Sequence, residues 1–216
     1  MEVQQILQKI DHTILKPEAT WEAVKQICDE GIWASAASIC ISPVFVAKAA
    51  NYVAGKVPIC TVVGFPHGTS TTQVKAWETQ DAVKHGAEEV DMVIHVGMVK
   101  EGRWDLVLEE LRAVKKACDG RLLKVIVEAC LLTQEEKIRM CELVSESGAE
   151  YIKTSTGFST GGATLGDISL FRSHIAPHVK IKAAGGIRSW DAAEAFLKAG
   201  ADRIGSSALI PMAKTR

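Results

Sequence analysis

The sequence has no apolar run of the roughly twenty residues that a membrane-spanning helix requires, so none is expected. It has almost no charge imbalance: 25 Lys and Arg stand against 26 Asp and Glu, a formal net charge of -1. Nothing therefore steers it towards nucleic acid or an anionic lipid surface. It has no C-x-x-C pair among Cys28, Cys40, Cys60, Cys118, Cys130 and Cys141, and its six histidines are scattered. A zinc site wants closely spaced ligand pairs, so no metal is expected; buried, reduced thiols in a cytoplasmic protein are the expectation instead. The start, Met1 to Ile10, is polar and charged, unlike a secretory signal. No G-x-G-x-x-G follows the first strand candidate, which weakens the dinucleotide-binding form of an open doubly wound sheet.

What is present is a regular alternation. The 216 residues, 47% hydrophobic and 24% charged, have the make-up of an ordinary globular chain and are read as a single domain, 1–216. Strands are expected at Ile10–Thr13, Ala36–Ile41, Ile59–Val63, Val90–Ile94, Leu122–Glu128, 151–154, 179–183 and Arg203–Gly205. Between them come helical patterns. A lead-in helix is expected over 2–9. A second spans 20–30, with Val24, Ile27 and Cys28 as its stripe and Gly31 as its stop. A third runs from Pro43 to near Gly55, and a fourth carries Val74, Trp77 and Val83. Trp104, Val107, Leu108, Leu111 and Val114 mark a fifth, ending near Gly120. Thr133 with Glu136 is a capping box for the sixth. The last two cover 165–174 and, behind Ser189, a stretch through Leu197. Eight such units predict an α/β fold, a single (β/α)₈ TIM barrel with a short N-terminal lead-in helix.

An internal repeat supports closure. Gly86-Ala87-Glu88, Gly148-Ala149-Glu150 and Gly200-Ala201-Asp202 each pair a helix-ending glycine with an alanine, an acid and then a strand. The fifth residue after the glycine is Asp91, Lys153 and Gly205 in turn, on strands four, six and eight. Alternate strands of a barrel feed the same layer of inward side chains. Asp91 and Lys153 are thus expected at one height, with Gly205 leaving room beside them, and Lys182 on strand seven one layer away but adjacent to Lys153.

Two lysines at strand ends suggest amine chemistry. A lysine becomes a nucleophile when burial or a cationic neighbour frees its amine, and Lys182 supplies such a neighbour to Lys153. The other reading is a pair of snorkelling lysines. Asp91 can exchange protons in the barrel mouth or form a structural ion pair, and Asp11 at the end of strand one can do either. Gly185-Gly186 and Gly205-Ser206-Ser207 follow strands seven and eight, where this fold commonly binds phosphate; ordinary tight turns are the alternative. His67 and His95 are loop residues near the mouth.

Together, Asp11-His12-Thr13 with Leu15-Lys16-Pro17, Val63-Gly64-Phe65-Pro66, Glu89-Val90-Asp91-Met92-Val93, the Leu123–Glu128 segment, Lys153-Thr154-Ser155-Thr156-Gly157-Phe158 and Lys182-Ala183-Ala184-Gly185-Gly186-Ile187-Arg188 resemble the deoxyribose-phosphate aldolase family, in family order from about residue 10 to 207. The resemblance implies a cofactor-free and metal-free class I aldolase that reversibly cleaves 2-deoxy-D-ribose 5-phosphate to glyceraldehyde 3-phosphate and acetaldehyde. It implies Lys153 as the Schiff-base lysine, Lys182 as the residue that perturbs it, and Asp91 as the proton-transfer group. It further implies Asp11, Cys40 and Thr154 near the substrate, and Gly185, Gly186, Gly205 and Ser207 at the phosphate. Phosphorylated sugar and small aldehydes are the implied partners, with no nucleic acid or membrane, in a cytoplasmic homo-oligomer, dimer or tetramer. Two positions depart from the pattern: Ala208 stands where a second serine is usual, and His95 where an asparagine is common. A different Schiff-base barrel aldolase, transaldolase-like or acting on keto-deoxy sugars, and a non-catalytic phosphosugar-binding barrel remain the alternatives.

Overall fold

Eight parallel strands close into a barrel in sequence order, each hydrogen-bonded to its neighbours in the chain and the last to the first. The computed structural model describes residues 1–215. The strands are β1 (Ile10–Ile14), β2 (Ser38–Ile41), β3 (Ile59–Val63), β4 (Glu89–Val93), β5 (Leu122–Ile126), β6 (Tyr151–Lys153), β7 (Lys180–Ala184) and β8 (Arg203–Ser206). The helices are α1 (Val3–Leu7), α2 (Trp21–Ala34), α3 (Val46–Val53), α4 (Thr72–Lys84), α5 (Val96–Lys100), α6 (Trp104–Ala117), α7 (Gln134–Ser147), α8 (Leu165–His174), α9 (Trp190–Lys198) and α10 (Leu209–Lys214). The barrel and lead-in helix are as the sequence predicts. Among the described residues, no helix is long and apolar enough to cross a membrane.

Local chemistry sets the helix starts. Thr20, Thr71, Thr164 and Ser189 each accept a backbone N–H with the side chain, and Thr133 and Glu136 form the expected capping box. One stop and one start differ from expectation. The second helix runs through Gly31 to Ala34 and turns at Ser35 in the left-handed conformation. Gly31 is needed for packing: a Cβ there would lie 2.0 Å from Ile39 Cδ1. Pro43 opens a short 3-10 turn, Pro43–Phe45, before α3 begins. Two short helices, α5 and α10, have too few residues to show a periodic pattern.

The largest departure concerns α4. Val74 and Trp77 are exposed, while Lys75, Thr79 and Ala82 face inward. Lys75 is fully buried because its ammonium is satisfied there, donating to the Val93 carbonyl at 2.9 Å and pairing with Glu110 at 2.8 Å.

The apolar core is the ring between strands and helices, where outward-facing Ile152, Ile181, Val125 and Ile204 meet Phe171, Leu111, Val144 and Phe196. Burying one such side chain contributes roughly 1.5–3 kcal/mol. The barrel axis is different. From Lys153 the register passes through Lys182 to Arg203, and two residues further along that strand lies Gly205. The same rule leads from Gly205 through Asp11 and Ser38 to Cys40, then through Cys60 and Glu89 to Asp91. From Asp91 it passes through Lys124 and Tyr151 back to Lys153. The four steps close with the shear of eight that this barrel class shows. Cys40, Asp91, Lys153 and Gly205 therefore form one layer. Asp11, Cys60, Lys124 and Lys182 form the layer beneath it, and Ser38, Glu89, Tyr151 and Arg203 the floor.

Candidate active site

A layer of four inward side chains in this fold is ordinarily apolar. Here all three layers are polar, and their charges pair across the axis. Asp91 Oδ2 lies 2.8 Å from Lys153 Nζ and 2.6 Å from Lys182 Nζ. Asp91 Oδ1 accepts from Lys124 Nζ at 2.8 Å and from the Cys60 thiol at 3.2 Å. One carboxylate thus meets three lysine Nζ atoms while fully buried. Asp11 takes Lys182 at 2.5 Å, Arg203 at 2.5 Å and the Ser38 hydroxyl at 2.7 Å. Glu89 takes Lys124 at 2.6 Å and Arg203 at 3.2 Å.

These contacts fix the charge states. Burial by itself would raise the carboxyl of Asp91, but Lys124, Lys153 and Lys182 outweigh it and hold that group well below the usual carboxylate range. Asp11 behaves in the same way under Lys182, Lys124 and Arg203. Burial would also depress the ammonium of Lys182, yet Asp11 and Asp91 prevail and hold it above the ordinary lysine range. Lys182 is therefore a fixed cation beside Lys153. Lys124 is held up similarly, against burial, with Asp91 first among its partners. Hydrogen bonding from Cys60 lowers the Cys40 thiol, whereas burial raises that of Cys60.

Lys153 lines a cavity of about 480 Å³ at the C-terminal mouth of the barrel. Gly185, Gly186, Gly205, Ser207, Thr156 and Phe158 line it too, together with two cations, Lys16 and Arg188. The diglycine is required sterically. A Cβ on Gly185 would sit 2.8 Å from Gly162 Cα, and both glycines have positive φ, +89° and +80°. On β8, a Cβ at Gly205 would be 3.0 Å from the Ala184 Cβ and 3.4 Å from Lys182 Cε, so the glycine leaves space for Lys182, where the repeat led to an expectation of room beside Asp91 and Lys153.

The structure brings Lys153, Lys182, Asp91, Asp11 and Cys40 together on the barrel axis, and Gly185, Gly186, Gly205 and Ser207 together at the cavity. Thr154 is not among the residues that line the cavity. Its hydroxyl is committed to strand pairing, donating to the Ala184 carbonyl and accepting the Ala184 N–H, both at 3.1 Å. The threonine that reaches the cavity is Thr156. Its amide and hydroxyl both donate to the buried Glu128 carboxylate, which pins the loop after β6. His95 caps α5, its Nδ1 accepting from the Met98 N–H at 3.2 Å, and His67 lines a neighbouring cavity of about 380 Å³.

Sequence reasoning missed Lys124, Glu89, Arg203 and Glu128. The repeat that singled out Asp91, Lys153 and Gly205 holds three of the floor residues, Glu89, Tyr151 and Arg203, two positions earlier. The expectation of no ligand cluster was drawn from linear spacing, and the fold overturns its premise. Donor atoms of Cys40, Cys60 and Asp91 lie within 4.8 Å of one another, as do those of Asp11, Cys60 and Glu89. Lys124 Nζ, however, stands 2.6 Å from Glu89, 3.2 Å from Cys60 Sγ and 3.6 Å from Asp11, so its ammonium lies among the donors of the second group.

Residues 5–208 match the model of the DeoC/LacD family aldolases. The chain belongs to that family. Among relatives, deoxyribose-phosphate aldolase of Streptococcus agalactiae is 51% identical over 216 residues, covering 100% of this chain and 97% of that protein. Deoxyribose-phosphate aldolase of Clostridioides difficile is 49% identical over 212 residues, covering 98% and 97%. Of solved structures, the tetrameric deoxyribose phosphate aldolase from Aeropyrum pernix superposes with a TM-score of 0.92 at 30% identity, over 99% of this chain and 93% of that one.

Proposed function

We propose that this chain is a deoxyribose-phosphate aldolase, cleaving 2-deoxy-D-ribose 5-phosphate reversibly to D-glyceraldehyde 3-phosphate and acetaldehyde through a Schiff base on Lys153. The observation that carries the residue assignment is that Lys153 opens onto the cavity while sharing one carboxylate oxygen, Asp91 Oδ2, with the fixed cation Lys182. The neutral amine of Lys153 adds to the aldehyde carbon of the open-chain sugar, and loss of water from the carbinolamine leaves an iminium. The iminium draws the electron pair of the bond between the second and third sugar carbons, while the hydroxyl on the third gives up its proton to Asp91. Glyceraldehyde 3-phosphate departs and an enamine remains. Its protonation and hydrolysis release acetaldehyde and restore the amine.

Asp91 is assigned the proton transfers because it is the carboxylate within 2.8 Å of Lys153. Lys182 is assigned the positive neighbour that favours a neutral Lys153. The phosphate is assigned to the cavity lined by Gly185, Gly186, Gly205 and Ser207, where the nearby Lys16 and Arg188 complement its charge. Asp11 and Cys40 support the amine layer from within the barrel. The relatives' names and the tetramer formed by the Aeropyrum pernix protein support a homo-oligomeric enzyme, and the substrate fits a cytoplasmic role in nucleotide catabolism.

Incubation with 2-deoxy-D-ribose 5-phosphate is expected to release acetaldehyde and glyceraldehyde 3-phosphate in equal amounts, with activity retained after exhaustive chelation. Release of a keto acid from a keto-deoxy sugar, with the deoxypentose untouched, would assign another aldolase. Loss of activity on chelation, restored by a divalent ion, would overturn the metal-free mechanism.

A further inference from the structure

The barrel axis carries unequal numbers of positive and negative groups. Three carboxylates lie there, Asp11 from β1 and Glu89 and Asp91 from β4. Four basic groups face them, one from each of the next four strands: Lys124, Lys153, Lys182 and Arg203. The remaining titratable groups on the axis are the thiols of Cys40 on β2 and Cys60 on β3 and the phenol of Tyr151 on β6, all neutral in their ordinary states. An unmatched charge in an enclosed interior is costly. With every basic group protonated, one positive charge is left over. With one amine neutral, three cations meet three anions.

The contacts decide which amine yields. Lys124 meets Glu89 at 2.6 Å, Asp91 at 2.8 Å and Asp11 at 3.6 Å. Lys182 meets Asp11 and Asp91, and Arg203 meets Asp11 and Glu89. Among the described residues, Lys153 meets Asp91 alone, at an oxygen that Lys182 already holds. It is also the amine that reaches the cavity.

We propose that Arg203, on the barrel floor and away from the substrate cavity, is the charge that keeps the amine of Lys153 free, acting as a positioning residue through Asp11 and Glu89. While its guanidinium holds those two carboxylates, Lys182 and Lys124 are left to neutralise Asp91. Without it, Asp11 and Glu89 draw on Lys182 and Lys124, and Asp91 retains a proton on Lys153. A guanidinium suits the task because it does not deprotonate in proteins, and here Asp11 and Glu89, working against burial, hold it above even its ordinary range. The proposal rests on Lys153 being the reacting amine.

The test follows trapping of acetaldehyde on Lys153 by cyanoborohydride as a function of pH in the full-length protein. Arg203→Met removes a cation, and the acid limb is expected at least one pH unit higher, about tenfold slower trapping at a fixed pH on that limb. Glu89→Gln removes an anion, and the limb is expected at lower pH. Arg203→Met with Glu89→Gln removes one of each, and the limb is expected to return to within a few tenths of a unit of the parent. If Arg203→Met alone does not fold, the Glu89→Gln shift and its reversal in the double variant carry the test.

A structural role for Arg203 would slow both single variants and leave the limb in place; that result, or shifts of the same sign in both, overturns the proposal. So does disappearance of the Arg203→Met shift in a Cys40→Ala background, which would assign the balancing charge to a Cys40 thiolate. Trapping on a different lysine in the parent protein contradicts the underlying assignment, a result distinct from an unmoved limb.

Discussion

Lys153 and Lys182 converge on one atom, Asp91 Oδ2, at 2.8 and 2.6 Å. They are also direct register partners on β6 and β7, so the pairing of those strands fixes their spacing. Lys182 has Asp11 as a second anchor, whereas among the described residues Lys153 has no second carboxylate.

This predicts the behaviour of Lys182→Leu. If the Lys182 charge is what favours the free amine at Lys153, losing it is expected to move the acid limb of the cleavage rate to higher pH. Each unit of movement costs about tenfold at neutral pH, or roughly 1.4 kcal/mol, and part of the rate should return in alkaline solution. Leucine also keeps the site dry, which acts in the opposite direction, so the pH–rate profile is the deciding measurement. A uniformly slower profile with an unmoved limb would show that Lys182 carries protons or orients substrate instead.

Asp91→Asn removes the carboxylate that three lysines share. The expected loss in cleavage is roughly a hundredfold or more, the usual scale for a proton-transfer group. Breaking a buried pair by removing one partner costs about 3–5 kcal/mol, so the melting temperature should fall as well. The pH dependence has a definite sign. The Asp91 carboxyl is depressed on folding, with burial opposing and the three lysines prevailing. It therefore contributes stability above the unfolded carboxylate range, lost as pH falls through its lower folded range. Melting curves from pH 7 down to pH 3 should show the parent losing its advantage over the variant as acid is added. A constant difference across that range would contradict the ion-network description.

The strands were legible because runs such as Ile59–Val63 are apolar and β-branched on both faces. The site layer was legible because one repeat set Asp91, Lys153 and Gly205 at equal offsets. Lys124 was not legible: its partners Asp91 and Cys60 lie 33 and 64 positions away in sequence, and only barrel closure brings them together. The buried face of α4 was not legible: Val74 and Trp77 are exposed, whereas the buried Lys75 ammonium finds acceptors on β4 and α6. Thr154 shared a motif with Lys153, but side chains alternate along the chain, and its hydroxyl faces the β7 backbone.

Ala208 occupies the N-cap of α10 without a side-chain bond, and the Ser206 hydroxyl accepts the Ala208 N–H at 3.2 Å. Ala208→Ser restores a hydroxyl beside Ser207, which lines the cavity. A hydrogen bond to a charged phosphate oxygen contributes roughly 1.5–3 kcal/mol, so KM for the phosphorylated sugar is expected to fall about tenfold or more while kcat stays near its present value. The unphosphorylated sugar should show no such change. Equal changes for both sugars would mean that the serine acts on the helix end and not on the phosphate.

The most direct test is covalent. Protein incubated with acetaldehyde and reduced with borohydride should carry one added ethyl group, and peptide mapping should place it on Lys153 in the Tyr151–Phe158 segment. An adduct on Lys182 or Lys124 with Lys153 unmodified, or no adduct under turnover conditions, would contradict the account.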